Sequence, residues 1–203
     1  MNPDGSGVVN LSNIVGQNGA QPVWSPDGSK IAFQGTDNFG HRVIYVMTAD
    51  GTNLTNLSIY ENEVGVQEYE PSWSPDGTEL VFVREKYGTR SISKVNVNTN
   101  DRQRLTTVNV GEGSDEDPEW SSTGEIAFVR NTENGIDIYK MNADGSNVTR
   151  LTNDSSFEFK PSWSPDGSKI AFQDAEQGVN EYDIFTMNAD GSDVQRFTKS
   201  FRQ

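Results

Sequence analysis

One phrase built around a tryptophan occurs four times in this chain: PVWSPDGSKIAF, PSWSPDGTELVF, PEWSSTGEIAF and PSWSPDGSKIAF, centred on Trp24, Trp73, Trp120 and Trp163. The tryptophans stand 49, 47 and 43 residues apart. A second phrase follows each first one. It reads IYVMTADGTNLTNLS from Ile44, IYKMNADGSNVTRLT from Ile138 and IFTMNADGSDVQRFT from Ile184, with a divergent copy, ISKVNVNTNDRQRLT, from Ile92. Self-similarity at this period requires equivalent units packed side by side, and the period is that of propeller blades rather than helical solenoids.

Each unit reads as four strands, a to d. Strand a ends at the tryptophan. Strand b is the apolar run Ile31-Ala32-Phe33, repeated at Leu80-Val81-Phe82, Ile126-Ala127-Phe128 and Ile170-Ala171-Phe172. Three apolar residues without alternation predict a strand buried on both faces, as blades stacked around an axis require. Strand c is the Ile-Tyr-x-Met segment and strand d the Val-x-x-Leu-Thr segment. In Ser25-Pro26-Asp27-Gly28, proline fixes φ at the second turn position, aspartate tolerates the third, and glycine takes the left-handed residue of a bulge. Asp27, Gly28, Asp76, Gly77, Asp166 and Gly167 are therefore assigned to turns. Blade three reads Ser121-Ser122-Thr123-Gly124 at this place, one residue shorter, and predicts an altered turn.

A hydrophobic fraction of 33% with 19 glycines suits a turn-rich β fold. The net charge of −14 argues against nucleic acid and anionic lipid as partners and favours cations or basic protein surfaces. The absence of cysteine excludes disulfides and zinc–thiolate sites. No apolar run reaches transmembrane length, and no signal peptide is visible.

The two phrases resemble the WD40-like repeat of the PD40 family, found in TolB-type β-propellers, and four tandem copies carry that resemblance over nearly the whole chain. It implies an all-β propeller of four four-stranded blades; since both termini offer a strand d, a fragment of a larger ring, a set of blades assembling through a dimer, or a closed four-bladed monomer are the readings of how the ring completes. It also implies a periplasmic or extracellular protein-binding scaffold rather than an enzyme. Related propellers gate prolyl-oligopeptidase-type and tricorn-type peptidases or accompany polysaccharide lyases, so an accessory propeller of a peptidase or carbohydrate-active enzyme is the alternative. Met1 to Ser6 align with Met141 to Ser146, which makes residues 1–12 the strand d of an incomplete preceding blade. Blades then occupy 13–58, 59–107, 108–152 and 153–203.

In up-and-down blades the d–a and b–c loops share the face where lengths vary, and binding residues collect on such loops. Glu68, Asp115 and Glu158 each stand three residues before a proline. Glu70 and Asp117 directly precede theirs, and Glu116 lies between Asp115 and Asp117. These six residues suggest an acidic rim at the channel mouth that would take a basic peptide or a metal ion, with calcium only weakly signalled because no EF-hand spacing is present. An acidic solvated loop set is the plainer reading of the same residues. No cofactor is expected. Arg84, Tyr87 and Arg90 in the second b–c loop suggest a protein contact or an ordinary hairpin tip. One histidine, no cysteine and no GxSxG elbow leave no recognisable nucleophile system.

Overall fold

The computed structural model describes residues 4–11, 19–58, 65–109, 111, 113–175 and 181–198. Parts of the sequence-based assignments, namely residues 1–3 and 12 of the N-terminal strand and stretches of the d–a and b–c loops, lie outside them. The described residues form strands and turns, and none of them belongs to a helix that could cross a membrane.

Four antiparallel units follow one another along the chain. The first comprises β1 (Ala20–Trp24), β2 (Lys30–Thr36), β3 (Arg42–Thr48) and β4 (Thr55–Asn56). The second comprises β5 (Val66–Trp73), β6 (Glu79–Lys86), β7 (Thr89–Asn96) and β8 (Arg102–Arg104). The third comprises β9 (Ser114–Trp120), β10 (Glu125–Thr132), β11 (Gly135–Asn142) and β12 (Thr149–Arg150), and the fourth β13 (Phe157–Trp163), β14 (Lys169–Ala175), β15 (Asp183–Asn188) and β16 (Gln195–Arg196). In every unit the strands pair in sequence order, and one parallel bridge, Ile136 to Phe157, links the third unit to the fourth. Strand a starts earlier than its polar sequence suggested. Residues expected on the d–a loops, Glu68, Glu70, Asp115, Glu116, Asp117 and Glu158, lie within β5, β9 and β13.

The apolar b strands are buried between neighbouring blades, with Leu80, Val81, Phe82, Ile126, Ala127 and Phe128 fully enclosed. Three core clusters lie at the three blade–blade interfaces. Phe128 stacks on Tyr139 and Phe172 on Phe185 within these interfaces, and Phe33 stacks on Tyr45 in a fourth cluster on the outer face of blade one. In blade two Ser93 replaces the second ring, and the Arg102 guanidinium covers Phe82 instead. The repeated tryptophans seal the interfaces, with Trp73 and Trp163 donating Nε1–H to the carbonyls of Val23 and Glu119 in the preceding blade. Among the described residues no blade covers Trp24, which is 60% exposed, against 6%, 8% and 9% for the other three. Beside it, Leu11, Ile31, Phe33 and Met47 line an open apolar cavity of about 270 Å³. Among the described residues, no strand of blade one packs against a strand of blade four.

The SPDG turns form with their aspartates as caps. Asp27 accepts from the Ser29 N–H and from the hydroxyls of Ser25 and Ser29, and these bonds draw its pKa down to about 2. Gly28, Gly77 and Gly167 all take positive φ. Blade three closes the same turn through Ser121 and Thr123, whose hydroxyls bond each other, with Gly124 at positive φ. In the c–d turns, the glycine packs against the leucine that ends strand d of the blade before. A Cβ on Gly145 would stand 2.8 Å from the Leu105 carbonyl oxygen, and one on Gly191 2.9 Å from that of Leu151. Gly51 packs against the Leu11 side chain, 3.0 Å from Cδ2. Leu11 thus occupies the place of a strand d terminus, although residues 4–11 form no strand.

Candidate functional site

The Leu-Thr that closes each repeat has a structural role. In all four blades its hydroxyl residue, Ser58, Thr106, Thr152 or Thr198, accepts the backbone N–H of the strand c isoleucine. Ser58 then donates to Glu68 at 2.6 Å, and Thr152 to Glu158 at 2.9 Å. These acids are thereby built into the junction between one blade's last strand and the next blade's first. Glu68, Asp115 and Glu158 are buried rather than displayed on a rim. Glu68 is bound by Arg102 at 2.5 Å and approached by Arg84 at 3.6 Å. Asp115 takes a two-pronged bond from Arg130 at 2.7 and 2.9 Å. A buried carboxylate needs such partners, because stripping its hydration without compensation is very costly. Glu116 faces the other side of β9 and binds Arg90 at 2.6 Å. Arg84 and Arg90 are therefore both engaged within the sheet, while Tyr87 stands exposed at the hairpin tip under Lys86.

Glu70 and Asp117 behave differently. Each directly precedes a proline in strand a, as do Gln21 and Lys160, and all four residues have positive φ between 51° and 57°. Proline has no N–H to give to strand b, so the ladder skips the X-Pro pair, and each inner strand carries a bulge there. Such backbone in a non-glycine residue costs free energy and persists only where its surroundings impose it. Here the freed amides turn inward and link the blades. Asp117 N–H donates to Glu70 Oε2 at 3.1 Å, and Lys160 N–H to Asp117 Oδ2 at 3.3 Å. The Lys160 ammonium closes the group, bonded to Asp117 and 3.4 Å from Glu70.

These residues, with Pro71, Ser72, Pro118, Glu119, Pro161, Ser162, Gln21 and Val23, surround a cavity of about 330 Å³ on the axis. Its wall carries three carboxylates and one ammonium. Burial, then the neighbouring Asp117 charge, raise the Glu70 pKa, although Lys160 opposes them. Burial also raises that of Glu119, which accepts from the Trp163 N–H at 2.9 Å. A cationic group entering the cavity would relieve both. The structure thus brings Glu70 and Asp117 together and adds Gln21, Glu119 and Lys160, which the charge pattern did not reveal. The shared signal was position: each stands in or next to the x-Pro pair of its repeat.

Comparison with known proteins places this geometry. The PD40 family model, described as TolB beta propeller domain, matches residues 5–134 and 108–202. A protein TolB homolog of Chlorobium luteolum is 40% identical over 62 residues, covering 30% of this chain and 14% of that protein. The crystal structure of TolB from Acinetobacter baumannii superposes with a TM-score of 0.72 at 23% identity, covering 90% of this chain and 44% of that one. A puromycin hydrolase crystal structure superposes with a TM-score of 0.68 at 15% identity, covering 91% of this chain and 30% of that one, a likeness of fold alone. The chain spans less than half the length of each of these relatives. With its repeats, its blade architecture and a family match over nearly all its residues, the chain belongs to the PD40 family of TolB-type β-propellers.

Proposed function

We propose that this propeller is a non-catalytic scaffold that receives a basic segment of a partner protein at its channel. The supporting observation is the convergence of Glu70, Asp117 and Glu119 on one axial cavity, with Glu70 and Asp117 turned to it at the X-Pro bulges. Excess negative charge in a partly dehydrated pocket favours a lysine, an arginine or a chain amine over neutral ligands. The wall offers carboxylates, serines and prolines, and the single histidine, His41, sits instead in a b–c loop bonded to Asp37 at 3.1 Å. The family relationship supports the same reading, since one of the curated relatives is the Tol-Pal system protein TolB of Geobacter sulfurreducens, and it favours a periplasmic or extracellular setting.

The test is fluorescence anisotropy with labelled lysine- and arginine-rich peptides against an acidic control. The basic peptides should bind, weaken with added salt, and lose about tenfold in affinity in the Glu70→Gln, Asp117→Asn double variant, a loss near 1.4 kcal/mol. Equal binding of the double variant would remove the cavity as the site.

A further inference from the structure

The interface acids obey a rule that blade four breaks. In strand register, Glu68 lies opposite Arg84 and Asp115 opposite Arg130, so each buried acid faces a cation on strand b. Glu158 lies opposite Asp174. Blade two adds a second cation, Arg102, four residues before its strand d hydroxyl residue, and blade four has Val194 there. Neither of the two positions that give Glu68 its cations is basic in blade four, and one of them is an acid. The nearby guanidinium of Arg150 is held by Asp137 at 2.7 Å.

Asp154 joins the pair from the loop before β13. Oxygens of Asp154, Glu158 and Asp174 come within 4.8 Å of one another. Glu158 is only 1% exposed, and its Oε1 meets no hydrogen-bond partner, while Oε2 is occupied by the Thr152 hydroxyl. Unpartnered buried carboxylate oxygen is rare in folded proteins and calls for a proton or a cation. Three carboxylates on a loop and two strands form an irregular oxygen set, which calcium accepts and magnesium, with its near-ideal octahedral demand, does not. Asp154 is exposed, which gives an entry path, and its orientation is set by accepting the Ser156 N–H at 2.8 Å.

We propose that Asp154, Glu158 and Asp174 form a calcium site at the junction of blades three and four, where the ion takes the place of the arginines used at the other junctions. Water and backbone carbonyls complete the oxygen shell. A proton held on the Glu158 Oε1 in the absence of an ion would have to leave when calcium binds.

The whole chain, dialysed against chelator and then freed of it, is titrated with calcium chloride by calorimetry at pH 7.5 in two buffers of different ionisation enthalpy. One strong site with dissociation constant near or below about 1 mM, proton release and a raised Tm are expected. Asp174→Arg, which installs the pattern of blades two and three, should abolish the site while keeping the fold stable without calcium. Glu158→Gln should weaken binding at least tenfold. No binding and no Tm shift up to about 10 mM calcium, ten times the weakest affinity usual for such modules, would mean a shared proton only and overturn the proposal. Binding left unchanged by Asp174→Arg would overturn it equally, by placing calcium elsewhere on the acidic surface.

Discussion

Glycine at position 145 is required twice over, by its positive φ and by the Leu105 carbonyl against it, whereas Gly28 is required by φ alone and faces open space. Gly28→Ala should therefore cost about 1 kcal/mol, the penalty of a side chain in the left-handed region. Gly145→Ala should cost more than about 2 kcal/mol, since backbone cannot step aside as a side chain can. Urea unfolding of the two variants measures the difference. Glu158 supplies a second test at this scale. Its carboxyl titrates at about 8 in the fold against 4.5 when unconstrained. The neutral form is favoured by the fold, so its contribution is complete below pH 4.5 and disappears as pH rises to about 8. In chelator, Glu158→Gln should lose less stability than the parent over that interval. At pH 8.5 it should melt about 2–5 °C higher, read from thermal unfolding at several pH values.

At the level of strands, the apolar b segments and their turns could be read directly, because residues such as Phe82 and Gly28 recur at fixed offsets and each has a single physical use. Strand a could not. Ser114-Asp115-Glu116-Asp117 has the composition of a solvated loop, yet it is a strand whose alternate residues enter a blade junction and face Arg90 on the other side, with Asp117 at the bulge turned to the axis. The missing clue lay on the partner strand, where Arg84 and Arg130 stand two residues after the phenylalanine. Lys160 escaped notice because a lone cation among acids shows no pattern until the four positions before proline are superposed. Phe82→Ala, in the middle of β6, should lose about 3–5 kcal/mol by equilibrium unfolding. Lys160→Met removes the cation between Glu70 and Asp117. It should cost no more than about 1 kcal/mol, given the exposure of the lysine, and should make stability fall more steeply as pH rises through the Glu70 titration.

For the molecule as a whole, three tryptophans are enclosed by a preceding blade and Trp24 is open beside an apolar cavity. Acrylamide should quench one emission component strongly, and Trp24→Phe should remove that component while leaving the blue-shifted remainder. If copies of the chain associate through this face, quenching should decline with protein concentration. The row of blades also has a direction. One outer flank presents an indole and the b-strand side of a blade, and the opposite flank presents Ile184 of β15 and Phe197 just after β16. Unlike flanks are complementary and like flanks are not, so any blade added at either end, from the same polypeptide or another, must join head to tail with the handedness of those already there.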